Sequence, residues 1–289
     1  MPRFLFVLLL AAAGFTSPVS SQSESALRSR KPSPPLKTGV SPLDGLVYIW
    51  IPAAVFQMGC PASLQCNEIA KPAHTVRFQT GFWIGQTLVT QQAYTKVIGS
   101  NPSLIRNASD LWAGWTPAYL EYFQWKRPDT GPVNPERLPV ENVNWHQARA
   151  YCQKIGMDLP TEAEWEYVAQ LGGPVPANVK TQAASLARTH EVTHFPPNRL
   201  GLYDILAPQI GEWVGDYFAT YSPNSADDPH GPKEGEFRVL RGGPGSQAYP
   251  AATASRRDPY ERFYNLPEIH TEMYTFRCAT SSTDIPGAR

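Results

Sequence analysis

The sequence predicts a loop-rich, aromatic-filled globule of few helices and short strands rather than a helical bundle, and its length alone allows one large domain or two small ones. Three observations predict it. The 289 residues include 29 Pro and 21 Gly, which interrupt helices and strands. Eight Trp and 13 Tyr supply a core of large aromatics rather than the Leu-rich stripes of a helical bundle. Strand-like runs are short, and helical periodicity never extends beyond about three turns. With 42% hydrophobic and 17% charged residues the chain can bury a full-sized core. The 25 basic and 25 acidic residues balance, with no long run of either sign. That charge pattern leaves no electrostatic footprint for nucleic acid or an anionic membrane.

The chain starts with "MPRFLFVLLLAAAGFTSPVSS", which has the anatomy of a secretory signal. Arg3 is the positive end, Phe4 to Phe15 the apolar core, and small residues near Ser21 a cleavage site. The core, at about a dozen residues, is shorter than a membrane span requires, so a secreted or periplasmic location is expected. The division expected is a signal at 1–21, a Pro-rich flexible leader at 22–45, the domain at 46–281 and a tail at 282–289. No internal repeat is visible.

"LVYIWIP", Leu46 to Pro52, reads as a strand, and "HTVRFQTGFWIGQ" is strand-like too. "VTQQAYTKVIGS" is a short helix with Thr90 as N-cap and Gly99 as its stop. Asn101 to Arg137 has no period and is expected to be ordered surface loops. It carries a glycosylation sequon at Asn107. Trp145, Ala148, Cys152 and Ile155 recur at helical steps, and Gly156 ends that helix. In "LPTEAEWEYVAQ", Thr161 and Glu164 form a capping box, with Trp165, Val168 and Ala169 as the buried stripe. Glu162, Glu164 and Glu166 are then caps and first-turn carboxylates favoured by the helix dipole.

"HEVTH", His190 to His194, matches the H-E-x-x-H pattern of zinc hydrolases, with two imidazoles one turn apart and Glu191 as general base. "KTQAASLARTHEVTH" is a fair helix former, and Glu212 lies at a distance suited to a third ligand. Pro196 and Pro197 oppose this reading, because they end any helix at the edge of the motif. Zinc hydrolysis therefore stands as the alternative.

An exported chain with four cysteines is expected to form disulfides. Cys60 and Cys66 are placed to pair locally, which would leave Cys152 with Cys278. Spacing by itself leaves the other two connectivities open. A four-cysteine zinc site lacks any C-x-x-C pair.

Seven stretches in order, "WIPAAVFQMGC", "EIAKPAHTVRFQTGFWIGQTLVTQQAYTKV", "LPVENVNWHQARAYCQKIGMDLPTEAEWEYVA", "FPPNRLGLYDI", "EWVGDYF", "RVLRGG" and "FRCA", resemble the formylglycine-generating enzyme, or sulfatase-modifying factor, family. The resemblance runs from about Leu46 to Thr280. It implies the family's fold, a single loop-rich α+β domain with low regular secondary structure, related to the C-type lectin arrangement. It also implies a bond between Cys152 and Cys278, leaving Cys60 for Cys66.

The resemblance reassigns "HEVTHFPPN" to a loop where relatives bind structural calcium. Asn178, Val179 and Phe195 match ligands, while Thr193 stands in place of the ligand aspartate. Glu212 is what remains of a second calcium site. The family oxidises a substrate cysteine through a copper-binding cysteine pair. Here Gln247 and Ala252 occupy those positions, so copper is not expected and no catalytic residue can be assigned. Ser246, Tyr249, Arg256 and Arg257 are candidates to line the family's substrate groove. The resemblance thus implies an exported protein that is either a copper-independent modifying oxidoreductase, as in siderophore peptide maturation, or a peptide- or protein-binding module.

Overall fold

A computed structural model describes residues 36–64, 66–107, 110, 134–172, 189–205, 210–242 and 262–287. Eleven short strands and three α-helices are present among them. The strands are β1 Thr38–Val40, β2 Val47–Ile51, β3 Ala54–Met58, β4 His74–Phe78, β5 Phe82–Gly85, β6 Gly211–Tyr217, β7 Ala226–Asp227, β8 Arg238–Gly242, β9 Arg262–Asn265, β10 Tyr274–Phe276 and β11 Ala279–Thr280. They form three sheets, ordered β1-β2-β5-β11, β10-β6-β8-β9 and β3-β4-β7.

The three helices follow their sequence signals. Helix α1, Gln91–Ile98, starts at Thr90, whose hydroxyl accepts from the Ala93 N–H, and stops at Gly99 with φ 89°. Helix α2, Trp145–Lys154, starts with a capping box between Asn144 and Gln147. Gly156 follows it at φ 75°. A side chain there would also strike Pro286, since an added Cβ would lie 2.9 Å from its Cβ. Helix α3, Glu162–Leu171, has the expected capping box of Thr161 and Glu164. Trp165, Val168 and Ala169 are its buried stripe.

The core has two parts. One gathers aromatic rings around α1 and α2, where Tyr94 stacks on Tyr151 with centroids 5.4 Å apart and Phe276 meets Tyr151 edge-on. The other packs α3 against β3 and β4 through Phe56, Phe78 and Tyr167. The disulfides Cys60–Cys66 and Cys152–Cys278 are both formed, the second joining α2 to the residue before β11.

Part of the stretch expected as leader, up to Gly45, is a strand of the domain. β1 pairs antiparallel with β2, Thr38 opposite Ile49 and Val40 opposite Val47. The turn between them is fixed by Asp44, whose carboxylate accepts from the Leu46 N–H and from the hydroxyls of Tyr48 (2.8 Å) and Tyr151 (3.2 Å). At the other end, the stretch taken as a tail is also tied down. Trp83 Nε1 donates to the Thr283 carbonyl, and Ile285 is buried. The expected loops from Asn101 to Arg137 are described at 101–107, 110 and 134–137, where Pro135–Arg137 makes one 3₁₀ turn. Ala108 and Ser109 of the sequon lie outside the described residues.

Candidate functional site

Glu162 and Glu166 are spaced four apart, so α3 presents both carboxylates on one face. That face meets two arginines from the adjacent strands β8 and β9. Arg241 and Arg262 stand directly opposite each other in the sheet register. Like charges in that position repel, and the helix supplies the anions that reconcile them. Arg262 donates to both oxygens of Glu162, Nε to Oε1 at 2.6 Å and Nη2 to Oε2 at 2.8 Å. Arg241 donates to Glu162 Oε1 and to Glu166 Oε2, each at 2.8 Å.

Tyr221 adds its hydroxyl to Glu162, the Gly59 N–H donates to Glu166, and Arg262 also reaches the carbonyls of Ile69 and Ala219. Burial opposes ionisation of Glu162. The guanidiniums of Arg262 and Arg241 overcome it and hold that carboxyl below its ordinary value. Burial raises Glu166 despite Arg241. The bland expectation for these glutamates is therefore corrected: Glu164 is the cap, whereas Glu162 and Glu166 are nodes of a buried ionic network.

The network grips both ends of one segment. Arg241 immediately precedes Gly242, the last residue of β8, and Arg262 opens β9. Residues 243–261 run between them. Gln247 and Ala252, and the groove candidates Ser246, Tyr249, Arg256 and Arg257, fall on that segment and lie outside the described residues.

The zinc reading requires both histidines on one helix, and residues 189–195 are not helical. Thr193 has φ 71°, which no helix accommodates. His190 Nε2 is bonded to Asp204 Oδ1 at 2.9 Å, and its Nδ1 is buried without a partner. Both imidazoles pack against the Phe195 ring, with centroids 4.8 Å away. Glu191, the supposed base, pairs instead with Arg137 at 3.3 Å and accepts from the Asn134 N–H.

The calcium ligands suggested by resemblance fare unevenly. Asn178 and Val179 lie outside the described residues. At Thr193 the loop is held by a cation of the chain itself, Arg137 Nη2 donating to Thr193 Oγ1 at 2.6 Å and reaching the Val192 carbonyl. Phe195 is buried. Glu212 does not suit a calcium ion. Both its oxygens accept from Arg277, at 2.6 and 3.0 Å, in a pair almost wholly withdrawn from water. Calcium requires six to eight oxygens with uncommitted carboxylate charge.

The four cysteines of the sequence are all consumed by the two disulfides, so the chain holds no free thiol. Sequence reasoning missed Arg241, Arg262 and Arg277. The one local signal was the four-residue spacing of Glu162 and Glu166, which marks a two-carboxylate face without naming its partners.

Comparison with known proteins agrees with this architecture. A family model described as the sulfatase-modifying factor enzyme 1-like domain matches residues 40–282. A formylglycine-generating enzyme of Mus musculus is 28% identical over 297 residues, covering 86% of this chain and 78% of the relative. The Streptomyces coelicolor formylglycine-generating enzyme is 30% identical over 263 residues, covering 73% and 81%. Among solved structures, Treponema denticola variable protein 1 superimposes with a TM-score of 0.65 at 26% identity, covering 86% of this chain and all of that one. The chain belongs to the sulfatase-modifying factor enzyme 1-like family, the family of the formylglycine-generating enzymes.

Proposed function

We propose that this protein is an exported peptide- or protein-binding member of its family that does not perform thiolate-copper oxidation. One observation carries the reading: every cysteine is locked in a disulfide. The family resemblance, which aligns Gln247 and Ala252 with the copper-binding pair, supports it. Cu(I) is held by soft thiolate ligands, which this chain cannot offer without breaking a disulfide. Export is supported by the N-terminal apolar segment and by two disulfides, which persist in oxidising compartments. The retained scaffold, with both ends of the 243–261 segment gripped by buried ion pairs, supports a groove kept for recognition.

The test is incubation of the purified protein with a Cys-x-Pro-x-Arg peptide, copper and oxygen, read by mass spectrometry. The cysteine is expected to survive unchanged, while an immobilised library of extracytoplasmic peptides captures the protein. Conversion to the aldehyde overturns the absence of oxidation. Failure to bind any peptide overturns the binding role.

A further inference from the structure

A cleft of about 580 Å³ opens at the Arg238 end of β8, the end opposite Gly242. Residues from α2, α3, β6, β8 and the loop around Lys233 line it. At its wall, Arg238 is 8% exposed and lies between two rings, its guanidinium carbon 3.5 Å from the centroid of Trp145 and 3.2 Å from that of Tyr217. Its Nη1 donates to the Gly215 carbonyl, and Nε is buried without a partner. No carboxylate among the described residues forms an ion pair with it. A buried cation lacking an anion is costly, and stacking on aromatic faces offsets only part of the cost.

The same cleft holds acids that are equally incomplete. Asp216 is 4% exposed. Its Oδ2 accepts from the Glu162 N–H at 2.7 Å, and its Oδ1 has no hydrogen bond. Glu164 accepts from the Thr161 N–H through Oε2. Burial first, with neighbouring carboxylates adding to it, outweighs the Thr161 bonds at Glu164 and the Glu162 N–H and Arg262 at Asp216, and pushes Glu164 up to about 7 and Asp216 up to about 8. A guanidinium without an ion pair and two carboxyls that burial favours in the protonated form thus face one cavity, and an ammonium arriving beside the carboxyls would draw them into the charged form. A phosphate dianion would meet two buried carboxyls there, and a simple amine would meet Arg238 and Lys233. Only a ligand carrying both charges complements the cleft.

We propose that this cleft binds a small zwitterion, an α-amino acid or the paired end groups of a short peptide, with its carboxylate on Arg238 and Lys233 and its ammonium on Asp216 and Glu164. The volume leaves room for a side chain, within the usual range of small-molecule pockets. The site lies at the end of β8 opposite Gly242 and does not depend on the function proposed above.

The experiment titrates the folded protein with each free amino acid and with dialanine by calorimetry and amide NMR, using acetate, ethylammonium and inorganic phosphate as controls. At least one zwitterion is expected to bind more tightly than any control and to shift amides of residues 215–217 and 228–238. Lys233→Ala, at an exposed rim position, should weaken binding roughly five-fold, the scale of one partly screened charge contact. Arg238→Lys and Glu164→Gln should abolish it. If Arg238→Lys fails to fold, Lys233→Ala decides. Absence of binding by every zwitterion, tighter binding of phosphate, or affinity unchanged in Lys233→Ala overturns the proposal.

Discussion

Arg241 and Arg262 face each other across adjacent strands, and the single carboxylate of Glu162 joins them. Two buried cations on neighbouring strands tolerate each other only because α3 delivers an anion between them. Glu162→Gln keeps the shape and removes the charge. It should destabilise the fold by on the order of 3 kcal/mol, the cost of breaking a buried pair from one side. The midpoint of urea unfolding measures it. A loss below about 0.5 kcal/mol, the scale of an exposed pair, would show that the network carries no weight.

The two disulfides should contribute unequally. Cys152–Cys278 spans 126 residues and Cys60–Cys66 only 6. Chain-entropy reasoning gives about 5 kcal/mol for the long loop and about 2 kcal/mol for the short one. The double variant Cys152→Ala/Cys278→Ala should therefore lose far more stability than Cys60→Ala/Cys66→Ala, as compared by denaturant midpoints. Equal losses would contradict an entropic origin.

Asp216 gives the stability a pH dependence of known sign. Its carboxyl, ordinarily near 3.8, is pushed up to about 8 in the fold, first by burial and then by Glu162. Between those values the folded chain holds a proton that the unfolded chain has released. The stability linked to this group is complete below about pH 4 and is lost as pH rises towards 8. Asp216→Asn retains an oxygen to accept the Glu162 N–H and removes the titration. The variant should show a flatter decline from pH 5 to 8 and gain at least about 1 kcal/mol on wild type at pH 8. A parallel pair of pH profiles would remove Asp216 as the cause.

Glu212 offers a test of calcium. With both oxygens on Arg277, Glu212→Gln should cost on the order of 3 kcal/mol, as for other buried pairs cut from one side. The loss should be the same in calcium and in chelator, because the partner is a guanidinium. A loss seen only with calcium present would reinstate Glu212 as a metal ligand.

Much of the fold was legible because its signals are local. Thr90, Gly99, Thr161 and Glu164 mark helix ends through bonds spanning three or four residues. β2 announces itself by its β-branched and aromatic run. β1 was missed because three residues at a sheet edge, mostly exposed, leave no alternation to read. The roles of Glu162 and Glu166 were hidden for a different reason: their arginines lie 75 to 100 residues away, brought close only by strand pairing. "HEVTH" misled because its spacing presumes a helix, and the left-handed backbone at Thr193 denies one.

The strand that opens the described chain meets its far end. At Gly39 of β1 an added Cβ would fall 2.5 Å from Cδ1 of Ile285, and one at Gly287 would touch Pro42. Entry and exit therefore share one corner. A loop of a host protein could carry the domain there as a pendant without being pulled apart, and a short linker between residues 287 and 38 would give a circular permutant with new ends elsewhere.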